Sequence, residues 1–136
     1  MSVGHTEYKI NNVSEFRWVR VFVGGFLAEV SVFAIVIPVS WLFGQRTLAY
    51  TAVAASLVSC FLFAIWVGRG VSTRVVLHGA LVGVVATLLY VGLTRGQSER
   101  PAYVVAHVLK ILGATAGGFV AERRRKSMTA TTPEAK

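Results

Sequence analysis

The sequence predicts an all-α, polytopic membrane protein with four transmembrane helices, both termini in the cytoplasm and almost no soluble domain. Three observations carry this expectation. Of the 136 residues, 54% are apolar and only 15% are charged, which leaves a soluble fold far too much apolar surface to cover. The apolar residues gather into four long runs, each of about 20 residues, the length at which a helix crosses a hydrocarbon core. Finally, the glycines, arginines and polar residues concentrate in the breaks between those runs.

Helices follow from the solvent. In hydrocarbon every backbone N–H and C=O needs a partner within the protein, and a helix supplies it inside each segment. A barrel would need shorter, alternating segments, and these runs do not alternate.

Residues 1–20 are mostly polar and read as a cytoplasmic N-terminal segment. The first run, 21–43, is longer than a signal-peptide core and no Ala-x-Ala cleavage site follows it, so it stays as a span. Pro38 lies inside it and should kink the helix, or end its regular part, near Ala34. Gly44-Gln45-Arg46 breaks the chain before the second run, 48–68. Cys60, the single cysteine, sits in the middle of that run and reads as a buried, inert thiol. Gly68-Arg69-Gly70 leads to the third run, 75–94, and the polar stretch from Arg95 to Arg100 leads to the fourth, 101–121. Pro101 loses no hydrogen bond at the first turn of a helix. Residues 122–136 form a basic and then disordered cytoplasmic tail, the disorder expected from Ser127 onward. Together, 21–121 make one transmembrane domain.

Orientation follows the basic residues, because the loops are short. Lys9, Arg17, Arg20, Arg69, Arg74, Arg123, Arg124, Arg125, Lys126 and Lys136 fall on one side, and Arg46, Arg95 and Arg100 on the other. Ten against three puts the termini in the cytoplasm, and the Asn12-Val13-Ser14 sequon with them. The expected location is the cell (inner) membrane, crossed several times. The net charge of +8 therefore reflects cytoplasmic loops and not a nucleic-acid-binding face. The expected partner is the lipid bilayer itself, with anionic headgroups drawn to Arg123, Arg124, Arg125 and Lys126.

Lipid tails are as apolar as leucine, so membrane helices associate through small residues and buried polar contacts. Gly24 and Ala28 are four apart in the first helix. Gly79 and Gly83 repeat the spacing in the third, where Ala86 and Tyr90 continue the stripe, as do Gly113 and Gly117 with Gly118 beside them in the fourth. Packing within the chain accounts for such spacing more readily than a dedicated oligomer interface. On the fourth helix, Tyr103, Ala106, His107, Lys110, Gly113, Ala114, Gly117, Gly118 and Ala121 share one face, and Val105, Val108, Leu109, Ile111, Leu112, Phe119 and Val120 lie opposite. The small and polar face should be buried in protein.

Ionisable residues inside spans are costly, and four are present: Glu29, His78, His107 and Lys110. By helical rise, Glu29 lies roughly 12 Å and Lys110 roughly 16 Å from the cytoplasmic ends of their helices, close enough for an ion pair. Fixing helix register is the favoured role of such a pair, with a place in a transport or proton path as the alternative. His107, one turn outward of Lys110, could extend a polar path, but a hydrogen bond to a neighbouring backbone carbonyl is the commoner fate of such a histidine and the expected one. His78 lies near the cytoplasmic end, within reach of headgroup water. Gly24-Gly25-Phe26-Leu27-Ala28-Glu29 recurs as Gly117-Gly118-Phe119-Val120-Ala121-Glu122. A two-plus-two duplication would relate the first helix to the third, so the echo does not mark an inverted repeat.

Over most of its length the chain resembles small four-helix bacterial membrane proteins. The motifs that carry the likeness are Gly24-Gly25 with Ala28-Glu29, His78-Gly79-Ala80-Leu81-Val82-Gly83, and Leu109-Lys110 with Gly113. That resemblance implies a fold and no activity. Size, four spans and Leu27-Ala28-Glu29-Val30 also resemble, in part, the small multidrug-resistance transporters. There a glutamate takes a proton and a cationic drug in turn, which would fall to Glu29. Lys110 and the strong basic bias depart from that pattern.

An enzyme is not expected: there is no nucleophile elbow, no phosphate-binding glycine loop, no Asp, and no metal-ligand spacing on one helix. No cofactor or metal is implied. The leading expectation is a non-catalytic accessory or scaffold subunit that contacts another membrane protein or further copies of itself. The alternative is a small oligomeric channel, or a proton- or ion-coupled transporter, using Glu29 and Lys110. A water-wide cavity reaching either residue would favour transport; a dry, packed centre would favour the accessory role.

Overall fold

The computed structural model describes residues 17–95 and 101–130. They form four helices and no strand: α1 (Trp18–Phe43), α2 (Gln45–Arg69), α3 (Val75–Thr94) and α4 (Pro101–Ala130). All four are long and apolar enough to cross a membrane, which suggests a membrane protein. The polarity of the bundle agrees. Phe22, Phe26, Leu62, Leu88, Leu112 and Phe119 are exposed, whereas Glu29, Ser56, Ser59, His78 and Lys110 are buried. A soluble protein reverses this arrangement.

Consecutive helices run antiparallel. One end of the bundle holds Trp18, Arg69 and Arg74 (the basic end); the other holds the joint at Gly44 and Pro101 (the Gly44 end). Exposed Trp18 and Trp66 mark the first end, and exposed Trp41 and Tyr50 the second. Along α1 the two tryptophans are separated by roughly 34 Å of helical rise. That matches a hydrocarbon core of about 30 Å with amphipathic rings at both interfaces.

Several boundaries differ from the expected spans. α1 begins at Trp18 and α2 at Gln45, each about one turn early. The break between them shrinks to Gly44 alone, whose φ of 76° and ψ of 178° fall in a region essentially open only to glycine. Pro38 does not end α1, which continues to Phe43. α3 keeps its expected bounds. α4 corrects the sequence expectation most: it runs past Ala121 to Ala130, so the stretch from Ser127, expected to be disordered, is helical as far as Ala130. The extension has good helix formers, an i,i+4 pair between Glu122 and Lys126 at 2.7 Å, and no glycine or proline before Pro133. Most of the N-terminal segment, the sequon at Asn12, residues 96–100, and residues 131–136 lie outside the described residues.

Glycines set the spacing of the helices. A Cβ on Gly79 would lie 2.7 Å from the Ala114 carbonyl oxygen and 2.8 Å from the Gly118 Cα, so α3 and α4 touch backbone to backbone. Gly83 meets the Lys110 carbonyl oxygen and the Ile111 Cα in the same way. On the next face of α4, Gly113 lies against the Leu57 carbonyl and Gly117 against the Phe61 carbonyl of α2. Gly24 and Gly25 bring α1 against Val67 of α2 and Val82 and Val85 of α3, with Ala28 buried below them. The stripes expected to pack within the chain do so. Thr87 and Thr115 donate their hydroxyls to the Gly83 and Ile111 carbonyls, four residues back on their own helices, which satisfies them without a partner helix.

The resulting cross-section is a diamond. α2 and α3 touch across its short diagonal, α4 packs on both of them, and α1 packs on both from the opposite corner. No Cα of α1 comes within 8 Å of a Cα of α4 among the described residues.

Candidate functional site

Glu29 and Lys110 meet across the long diagonal. Glu29 lies on the buried stripe of α1 formed by Val21, Gly24, Gly25, Ala28 and Val32, which the close approach at Gly25 presses toward α3. Lys110 lies on the small face of α4, between Ala106 and Ala114, with its backbone seated on Gly83. Lys110 Nζ donates to Glu29 Oε2 at 2.8 Å, and the two residues are 2% and 5% exposed. The pair is therefore built from side-chain length alone: the four-carbon lysine stem spans a gap that the two backbones do not close. An ion pair so buried needs its remaining polar atoms satisfied to offset desolvation. Glu29 Oε1 is buried and has no hydrogen-bond partner among the described residues.

Tyr90 organises the surroundings. Its ring lies 4.8 Å from Lys110 Nζ and takes part of the ammonium's charge through a cation–π contact. The same ring stacks with Phe33 of α1 and Tyr103 of α4, both at 6.4 Å between centroids, and meets His107 at 4.8 Å. Of the groups around the pair, Tyr90, Phe33 and Ser56 were not expected as site residues. Tyr90 carried the one available signal, since it continues the small stripe of Gly79, Gly83 and Ala86.

These residues wall a cavity of about 200 Å³. All four helices contribute: Glu29, Val32, Phe33 and Val36 from α1, Leu48, Ala52 and Ser56 from α2, Tyr90 from α3, and Tyr103, Ala106, His107 and Lys110 from α4. Apart from the ion pair, every lining residue belongs to the Gly44 half of its helix. The ion pair therefore forms the floor. Beyond it, toward the basic end, the glycine contacts described above and the clusters around Val21, Val67 and Val82 and around Ala28, Cys60 and Ala64 fill the core.

The two histidines part company. His107 lines the cavity beside Tyr90, in ring contact with it. His78 lies in the other half, outside the cavity, and is 1% exposed, so headgroup water does not reach it. Its Nδ1 sits 2.9 Å from the Arg74 carbonyl oxygen. The αL conformation of Arg74, with a φ of 50°, starts α3 at the point where that contact forms. Cys60 is fully buried in the packed half, as expected of a structural thiol. Among the described residues, no three His, Cys, Asp or Glu side chains gather where they could hold a metal ion.

Chemically, the site offers one buried carboxylate oxygen with no hydrogen-bond partner among the described residues, one ammonium held by charge and by an aromatic face, and walls that are apolar and aromatic apart from Ser56 and His107. A small cation, a proton or a compact polar solute fits that description. The chain matches no protein-family model, no curated protein and no solved structure.

Proposed function

We propose that this chain is a small ion- or proton-coupled membrane transporter, or a subunit of one, whose binding site is the cavity floored by Glu29 and Lys110. The cavity carries the reading. A bundle that only supports a partner gains nothing from a 200 Å³ hollow with an ion pair in its wall and an unsatisfied carboxylate oxygen beside it. Intramembrane ionisable residues that face such a hollow mark ion and substrate paths. In this reading a cation or proton loads at Glu29 Oε1, the hold on Lys110 weakens, and the ammonium leans toward Tyr90. The packed half must then yield, by rocking of helices or between copies of the chain.

The test is flux through liposomes carrying the purified chain. Proton, sodium or potassium gradients should dissipate faster than in empty liposomes. The double variant Glu29→Gln/Lys110→Met, which leaves neither charge unpaired, should return the rate to background. Equal flux in the double variant would remove the pair from the path. No flux above background for protons, sodium, potassium or a lipophilic cation would sink the transport reading. The packed half favours the accessory role as the second reading, because it leaves no passage through a single copy.

For the setting we propose the inner membrane with both termini cytoplasmic, supported by the ten basic residues on the side of the termini against three on the other. Arg123, Arg124, Arg125 and Lys126 would then lie at anionic headgroups, and the cavity would lie toward the outside. A reporter fused after Lys136 should behave as cytoplasmic and one inserted at Gln97 as external. An external reading at Lys136 would reverse the orientation.

A further inference from the structure

The cavity at Glu29 is not the only hollow in the bundle. Where α2 ends and α4 continues, Gly68, Arg69, Ala121, Arg124, Arg125 and Met128 enclose about 290 Å³ at the basic end. The floor is apolar and close-packed, because a Cβ on Gly68 would lie 2.7 Å from the Ala121 Cβ. The rim is cationic. Arg125 is committed to the protein: its guanidinium donates to the Val71 and Ser72 carbonyls and ties the α2–α3 turn to α4. Arg69 and Arg124 are exposed, and their guanidiniums have no hydrogen bond or ion pair among the described residues. The neighbouring carboxylate, Glu122, is held by Lys126. Two guanidiniums therefore face the groove with no anion among the described residues to satisfy them.

A second hollow, of about 400 Å³, lies further along the same two helices. Its lining is wholly apolar: Leu57, Val58 and Phe61 of α2 with Leu112, Gly113 and Ala116 of α4. It lies beside the close contact of Gly113 with Leu57. The two hollows are separated by roughly 12–18 Å of helical rise, about the depth of one leaflet's hydrocarbon. Phosphate chemistry at the surface and hydrocarbon chemistry one leaflet deep, on one seam, are the two halves of a phospholipid.

We infer that the α2–α4 seam binds one anionic phospholipid, its phosphate between Arg69 and Arg124 and an acyl chain laid against Phe61, Leu112 and Ala116. This differs from a diffuse attraction of headgroups to the run at Arg123–Lys126. It names two arginines from different helices, one of them outside that run, and adds a requirement for the chain. It rests on the bundle crossing a membrane and is independent of transport.

The test measures lipid retained by the whole chain in mild detergent, by native mass spectrometry, with phosphatidylglycerol, phosphatidylcholine and glycerol phosphate as probes. One phosphatidylglycerol should be retained per chain, in clear preference to phosphatidylcholine, and glycerol phosphate should not compete. Arg69→Gln and Arg124→Gln should each weaken retention about fivefold, and together roughly thirtyfold. Arg123→Gln, outside the groove, should change it little. Ala116→Trp fills the seam without touching charge and should also release the lipid. A thermal midpoint for each variant in lipid-free detergent separates loss of lipid from loss of fold. Unchanged retention in folded Arg69→Gln/Arg124→Gln overturns the proposal, as does equal binding of phosphatidylcholine. Competition by glycerol phosphate would make this a soluble phosphate-ester site and overturn the lipid assignment.

Discussion

Lys110→Met and Glu29→Gln should each lower the thermal midpoint in detergent, and the double substitution should recover much of the loss. The two side chains share a 2.8 Å contact and are almost wholly buried, so removing either strands the other in the core. In soluble proteins that costs about 3–5 kcal/mol. The cavity beside the pair lowers the expectation toward the small end of that range, because water can enter and hydrate the orphan. Met matches the lysine stem out to its ε position and ends one atom short of where the ammonium met Tyr90, so the packing term stays small. A double-mutant cycle isolates the coupling. Additive losses would mean that the pair does not form and that α1 and α4 are not joined across the diagonal.

The second large effect is steric. Gly117→Leu should abolish or sharply reduce recovery of folded, monodisperse protein, whereas Leu112→Ala should be tolerated. A side chain at Gly117 runs into the Phe61 carbonyl, and its Cβ would lie 3.0 Å from the Ala64 Cβ. Backbone cannot rotate aside as a side chain can. α4 would have to lift from α2, losing the neighbouring contact of Gly113 with Leu57. Overpacking alone costs about 1–3 kcal/mol, before the loss of the helix contact is counted. Leu112 is 57% exposed, toward lipid and the α2–α4 seam, and its truncation should lie near the roughly 0.5 kcal/mol typical of surface changes. Equal tolerance of the two substitutions would mean that the faces of α4 are assigned the wrong way round.

Depth was readable from the sequence and neighbourhood was not. The spans follow from what hydrocarbon demands of a backbone, and helical rise alone placed Glu29 and Lys110 at similar levels. The small face of α4 was legible because a run of Gly and Ala opposite Val, Leu and Phe has only one stable way to turn. Which helix each face meets depends on three-way packing, in which Gly79 and Gly83 take α3 to one side of α4 while Gly113 and Gly117 take α2 to the other. That places α1 diagonally, and no periodicity announces it. The cavity was hidden for the same reason: Phe33, Tyr90 and Tyr103 read as ordinary apolar or packing positions until three helices bring their rings together. The end of α4 was missed because a falling apolar period says where the membrane stops, not where the helix stops. His78 was misjudged because closeness to a helix end says little when the neighbouring helix overhangs it.

Eighty-one residues separate the carboxylate of the pair from its ammonium, and that interval is also an order of synthesis. Glu29 emerges with the first helix, and Lys110 follows only with the last. At roughly 5–20 residues per second the acid waits about 4–16 s for its counterion. In the membrane setting proposed above, α1 carries during that wait a group the bilayer tolerates poorly unless it is protonated or shielded by water. Arrival of α4 ends the exposure. A ribosome that stalls before Lys110 therefore releases a product that is apolar, nearly complete and marked by a stranded acid. The same contact that ties two distant helices together therefore forms only after the last helix has been made.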